Sequence, residues 1–172
     1  MSAPARSRSR AALDPASLRR LFGHIPSGLV AVAVLGTEGP LGVLVATFAP
    51  VSLDPPLVSV AIARSSTTLP ALRDSRHWGL SVLGEHQRHV ADGFRRPADQ
   101  RFSDLDWSAT SDGAIHLDGA AATLTVCPVE FVPAGDHVIA LAALTDHAAG
   151  PTSDPLIFHH SRFHRLDKET HR

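Results

Sequence analysis

Residues 42–68, GVLVATFAPVSLDPPLVSVAIARSSTT, carry the densest chemistry in the chain. Two apolar runs flank an elbow of small and prolyl residues, and a polar string follows the second run. Ala, Thr, Pro and Ser at the elbow bring little bulk, so backbone N–H and C=O groups there can come close to a flat ring. The string Arg64, Ser65, Ser66, Thr67, Thr68 supplies one positive charge, hydroxyls and amides, the groups that hold a phosphate. Together they suit a flat, phosphorylated ligand.

Other residues offer chemistry with a plainer reading beside it. His137 follows Gly135-Asp136 on a turn and is the candidate for an active role, because imidazole changes charge near neutral pH; otherwise it only fixes the turn. Ser65 and Thr67 suit a helix cap as well as a phosphate, and Thr47 and Ser52 suit local backbone partners as well as a ligand. Arg101-Phe102 would meet a nucleotide from a mobile loop or anchor that loop to the core. His159-His160-x-x-x-His164 invites a metal reading, yet strand alternation sends His159 and His160 to opposite faces and no nearby carboxylate or cysteine completes a set. No metal is expected. Cys127, between Val126 and Pro128 in an apolar run, reads as a buried small residue.

The elements that position these groups follow from pattern. Asp14-Pro15 starts a helix as N-cap and first helical residue, and Leu18, Leu21, Phe22 and Ile25 share a face to about His24. Apolar runs at 29–35 and 41–48 read as a hairpin around Gly36-Thr37-Glu38-Gly39-Pro40. Further strands are expected at 57–63, 78–83, 122–132 and 137–144, with a closing hairpin at 156–158 and 163–166. Short helices fit 66–73, capped by Ser66 or Thr67, and 85–94, with Val90 and Phe94 inward. Between them, 95–107 is a charged loop pinned by Leu105 and Trp107. Many strands, short turns and two or three helices predict a mainly antiparallel barrel, and no glycine-rich dinucleotide fingerprint follows a strand.

The bulk numbers narrow the class. A chain of 172 residues, 44% hydrophobic, suits one domain with one core. Its formal net charge of -1 provides no basic field for nucleic acid or anionic lipid, and no run reaches the length of a membrane span. One cysteine excludes an internal disulfide framework and fits a reducing, cytoplasmic setting. Residues 1–12 read as a disordered arm, 13–167 as the domain and 168–172 as a tail.

Several of these segments, in order, resemble the short flavin reductase family. They are Pro26-Ser27-Gly28, Thr47-Phe48-x-x-Val51-Ser52-Leu53-Asp54-Pro55-Pro56-Leu57, Arg64-Ser65-Ser66-Thr67-Thr68, Ser81-Val82-Leu83 with Gln87, Arg101-Phe102 and Gly135-Asp136-His137. The resemblance implies a mainly β fold, a Greek-key, FMN-binding split β-barrel with two or three short helices, usually a homodimer with FMN or FAD at the subunit interface. It implies an NAD(P)H-dependent flavin oxidoreductase that takes hydride from NADH or NADPH and supplies reduced flavin, often to a separate flavin-dependent monooxygenase. By position, Val45, Ala46, Thr47, Pro50, Val51 and Ser52 would border the flavin ring. Arg64, Ser65, Ser66 and Thr67 would meet its phosphate, Ser81, Arg101 and Phe102 would complete the cofactor contacts, and His137 would be catalytic. The alternative is a non-catalytic or slow split-barrel protein holding flavin or another planar cofactor such as haem.

Three positions depart from the family pattern. Ala46 stands where asparagine is common, Pro50 removes a hydroxyl and an N–H, and Ser81 replaces another common asparagine. Each lost hydrogen bond costs about 0.5–1.5 kcal/mol. Recognition is therefore expected to lean on backbone contacts and the phosphate, with exchangeable flavin.

Overall fold

The computed structural model describes residues 14–151 and 154–166, so the expected arm and tail at the chain ends lie outside the described residues. Helix α1 (Pro15–Phe22) starts as its sequence demands: the Asp14 carboxylate accepts the N–H groups of Ala16 and Ser17 at 2.9 and 3.0 Å. It ends two residues earlier than expected, and its apolar stripe stays open, with Leu21, Phe22 and Ile25 all exposed.

The strands that follow are β1 (Ser27–Gly28), β2 (Val30–Gly36), β3 (Gly39–Val45), β4 (Ala49–Leu53) and β5 (Pro56–Ala63). Helix α2 (Leu69–Asp74), β6 (Trp78–Val82) and α3 (Arg88–Gly93) come next. A 3-10 turn (Ala98–Gln100) then leads to β7 (Trp107–Ala109) and β8 (Ile115–Leu117). Two long strands, β9 (Ala122–Ala134) and β10 (His137–Ala149), precede the closing hairpin of β11 (Ile157–His159) and β12 (Arg162–His164). The expected loop at 95–107 thus contains a short helix and delivers a strand.

Seven strands form one antiparallel sheet in the order β3-β2-β6-β9-β10-β5-β4. β1, β11 and β12 make a small second sheet, and β7 and β8 pair as a ribbon. Consecutive strands β3 and β4 therefore sit on opposite edges of the large sheet. Residues 46–48 have to bridge those edges, which curls the sheet into a barrel with an open seam.

Alternation explains how one central strand serves two cores. Val30, Val32 and Val34 of β2 point into the barrel beside Val58, Val60, Ile62, Trp78, Leu80 and Val126. Ala31 and Ala33 face the other way, under Val90, Ala91, Phe94, Phe102, Ile115 and Leu117. The smaller residue leaves room for α3 and β8 to pack on the barrel. In β5, Val58, Val60 and Ile62 are buried while Leu57, Ser59, Ala61 and Ala63 face outward. No helix among the described residues is long and apolar enough to cross a membrane.

Candidate functional site

The open seam is also the candidate site. β3 pairs with β2 alone, and β4 pairs with β5 only between Ala49↔Ser59 and Leu53↔Pro56. Beyond Ser59, the β5 edge at residues 61–63 faces the end of β3 across a groove of about 210 Å³. Val45, Ala46, Thr47, Ala61, Ala63, Ser66 and His137 are among its lining residues, together with Val43, Leu44 and Ile62. Strand edges present backbone donors and acceptors, and the alanines keep the walls low.

Thr47 holds the seam at one point. Its hydroxyl donates to Ala61 O at 2.8 Å and accepts from Ala61 N–H at 3.0 Å, copying the missing strand partner. Its side-chain donor is therefore committed to β5, the local reading of this residue, and it ends β3 at Val45 rather than Phe48.

At the end of β5 the chain turns through Arg64, Ser65, Ser66 and Thr67. Arg64 N–H donates to Asp136 O, Ser66 N–H to Ala63 O, and Thr68 N–H to Ser66 Oγ. No acceptor among the described residues takes the amides of Ser65 and Thr67, and Arg64, Ser65 and Thr67 are exposed. A guanidinium, hydroxyls and two uncommitted amides in one turn fit a phosphate. Thr68, not Ser66 or Thr67, stands at the N-cap of α2, and its hydroxyl points back to Gly42 O at 3.2 Å.

His137 enters the groove by register. It opens β10 opposite Ala63 of β5, so its side chain lies on the outward face that carries Ala61 and Ala63. Its Nδ1 is 2.7 Å from Asp136 Oδ1. An ionised carboxylate only accepts, so Nδ1 carries the proton and Nε2 is left for a ligand. That hydrogen bond, followed by the imidazole's charge, holds the Asp136 carboxyl below its ordinary value. A depressed carboxylate keeps its pairing above the ordinary range and loses it as pH falls through the folded value, so the orientation of His137 persists at neutral pH. The orienting role of Asp136 comes from this contact, and its only signal in the sequence is its place immediately before His137.

The remaining expected contacts divide. Pro50, Val51 and Ser52 are on β4 and are not among the residues that line the groove; Pro50 costs no ladder bond because the strand is an edge and the pairing bulges between Pro50 and Ser52. Ser81 does not reach the seam: it is buried within β6, and its hydroxyl accepts from Leu117 N–H at 2.9 Å. Phe102 is likewise a packing residue, set edge-on to Phe94 with ring centroids 5.4 Å apart. A side chain at Gly42 would meet the Phe102 ring at 2.8 Å, so glycine admits this anchor.

Arg101 lies behind β3. Its Nη1 donates to Gly42 O at 2.8 Å and its Nε to Arg96 O at 3.2 Å. It lines a second cavity, of about 230 Å³, with Arg95, Phe94, Phe158 and Phe163; Val43 and Leu44 border both spaces.

The histidine motif also differs from expectation. His160 is not in a strand: it occupies the β11–β12 turn at φ 48°, so the rings of His159 and His160 touch with centroids 4.2 Å apart. Among the described residues no group of three or more His, Cys, Asp or Glu side chains is arranged to hold a metal ion. Cys127 is half-buried on β9, beside Arg73, Arg76 and Phe131.

Comparison with known proteins places this geometry among relatives. The profile of the flavin reductase-like domain matches residues 22–167. An NADH:FMN oxidoreductase of Rhodococcus qingshengii is 36% identical over 155 residues, covering 87% of this chain and 79% of that protein. The reductase component of a flavin-dependent trigonelline monooxygenase from Acinetobacter baylyi is 37% identical over 123 residues, 71% of this chain and 40% of that protein. The solved NADH:FAD oxidoreductase of Streptomyces globisporus, in complex with NAD and FAD fragments, superposes with a TM-score of 0.86 at 30% identity. It covers 91% of this chain and 95% of its own.

Proposed function

Because the chain belongs to the flavin reductase-like family, we propose that it is an NAD(P)H-dependent flavin oxidoreductase that reduces FMN or FAD. The observation that carries this reading is the seam: an open strand edge, small walls, a phosphate-suited turn at one end and His137 along one side. The named relatives use NADH with FMN or FAD, which supports both flavins here. A relative that serves as the reductase component of a monooxygenase supports a separate flavin-dependent monooxygenase as the recipient of reduced flavin.

Bound flavin supplies the hydride-accepting ring, and the pyridine nucleotide supplies the hydride. The protein's own groups do the rest. Val45, Ala46 and Thr47 border the ring with backbone, and Pro50, Val51 and Ser52 flank it from β4. Arg64, Ser65, Ser66 and Thr67 hold the phosphate. His137, oriented by Asp136, offers Nε2 to a charge or proton near the reacting rings. Because Thr47's donor is committed and Pro50 has none, affinity rests on backbone and phosphate, and flavin exchanges as a substrate.

We place the catalytic unit at residues 13–167 of a cytoplasmic homodimer. Exposed Val51 and Leu53 on edge strand β4, with exposed Val132 and Ile139 paired across β9 and β10 of the same sheet, support the dimer. The single cysteine supports the compartment.

Mixing the protein with NADH and FMN without oxygen is expected to bleach the visible flavin absorbance at a rate proportional to protein. Failure with both NADH and NADPH, and with both flavins, defeats the reading. His137→Ala is expected to slow single-turnover hydride transfer by about 100- to 1,000-fold, a typical scale for one positioned proton or hydrogen-bond group. Flavin affinity should change far less. Equal single-turnover rates in the two proteins would remove His137 from the mechanism.

A further inference from the structure

Four imidazoles, none of which lines the groove, gather at one place in the fold. The ring of His160 meets His24 edge-on at a centroid distance of 4.3 Å and His159 at 4.2 Å, and His159 in turn lies 5.7 Å from His164. His24 follows α1, whereas the other three belong to the β11–β12 hairpin. The two segments are also joined by one backbone bond, from His160 N–H to Gly23 O at 3.0 Å.

Past His24, β1 ties the chain to the same hairpin through the two-residue ladder Ser27↔Phe158 and Gly28↔Ile157, so the histidine cluster bears on the end of α1 that precedes this ladder. α1 buries none of its residues, and Leu21, Phe22 and Ile25 beyond it are exposed. Neutral imidazoles pack edge to face without penalty, but protonated rings at these distances repel. We propose that His24, His159, His160 and His164 form an acid-sensitive clasp that fastens the end of α1 to the β11–β12 hairpin near neutral pH and releases it on acidification.

The charges around the cluster favour release. α1 brings Arg19 and Arg20, the hairpin and its exit bring Arg162 and Arg165, and β1 brings none. Acidic groups of the neighbouring segments include Glu85 and Asp154, together with Asp136, which feels the charge of Arg19, and Asp14, which caps the far end of α1. Glu85 pairs with Arg165 at 3.7 Å, and the charges acting on His160 are the other three imidazoles. Desolvation of the His160 ring, and then the charges of His159, His24 and His164, hold its pKa below the ordinary value.

The direction of the effect follows. A histidine whose folded pKa is depressed costs nothing while neutral in both states, so the clasp is complete above about pH 6.5, the ordinary imidazole value. As pH falls below that value the open form binds the extra proton more readily, and the clasp weakens until the folded pKa is passed. One coupled proton changes the opening equilibrium by at most about tenfold per pH unit. Charging a second ring of the same cluster extends the response.

The test is an NMR titration of the full chain from pH 8 to pH 5, following the four histidine rings and the exchange protection of the His160 amide. His160 is expected to titrate below the ordinary imidazole value. The protection factor of its amide should fall by up to about tenfold per pH unit below pH 6.5, while amides in β2 keep theirs. His24→Asn should move the His160 titration upward and flatten the loss of protection. A His160 ring that titrates at the ordinary value, constant His160 protection, or an unchanged pH response in H24N would each overturn the clasp. None of these readouts involves flavin, so the result stands apart from that of the reductase assay.

Discussion

Replacing Ala63 with tryptophan is expected to weaken flavin binding by about two orders of magnitude or more, because an indole at that position would fill the groove. The groove is about 210 Å³, and Ala63 lines it from the outward face of β5, directly across the pair from His137. A site of that size has no spare room for a side chain that large. Ala63 is half-buried and its neighbours Ile62 and Val60 carry the core packing, so the fold should be spared. The measurement is an FMN titration followed by flavin fluorescence, with thermal unfolding alongside. Wild-type affinity in a folded A63W protein would mean that flavin does not lie in the seam, whatever the enzyme's activity.

Gly79→Ala is expected to disrupt the fold itself severely. A Cβ at residue 79 would stand 1.9 Å from Ile115 O and 2.5 Å from its carbonyl carbon. Both atoms are backbone, so no rotamer change relieves the clash. β6 is held between β2 and β9, and Ile115 is fully buried, so either β8 lifts away or β6 leaves its ladders. A loss of at least about 4 kcal/mol, the range reserved for severe core defects, is a large fraction of a typical domain's stability. Gly28→Ala is the control, since a Cβ there meets nothing within 4 Å. Chemical denaturation of the two variants checks the pair: similar midpoints for G79A and G28A would contradict the close crossing of β8 over β6.

Local pattern was a sound guide wherever neighbours in sequence are neighbours in space. The Asp14-Pro15 start, the alternation in β5 and the hairpin turns depend on nearby residues, and the structure carries them out. α1 shows the limit of such reasoning. Its stripe of Leu18, Leu21, Phe22 and Ile25 has helical spacing, but spacing says nothing about what the stripe will meet. The strands β7 and β8 escaped notice because runs of three residues carry too little periodicity to read.

The site divides along the same line. From letters alone, residues 42–68 marked a flat, phosphorylated ligand, and the GDH turn marked His137. What the letters could not determine is how hydroxyls and rings are used. Ser81, Ser65 and Thr47 look alike in sequence, yet one closes on Leu117, one stands in an open turn, and one stitches β4's approach to Ala61. His160 read as a strand residue until the turn brought its ring against His159 and His24.

The sequence by itself determined an antiparallel β domain, an elbow of small residues, and a polar string beyond it, because alternation, turn chemistry and side-chain bulk are local properties. Only the tertiary structure decided that β3 and β4 lie at opposite edges of one sheet, so that the elbow becomes the seam of a barrel and its edges become the walls of the groove. That outcome rests on pairings between strands far apart in the chain, whose partners and register are chosen by the packing of the whole core.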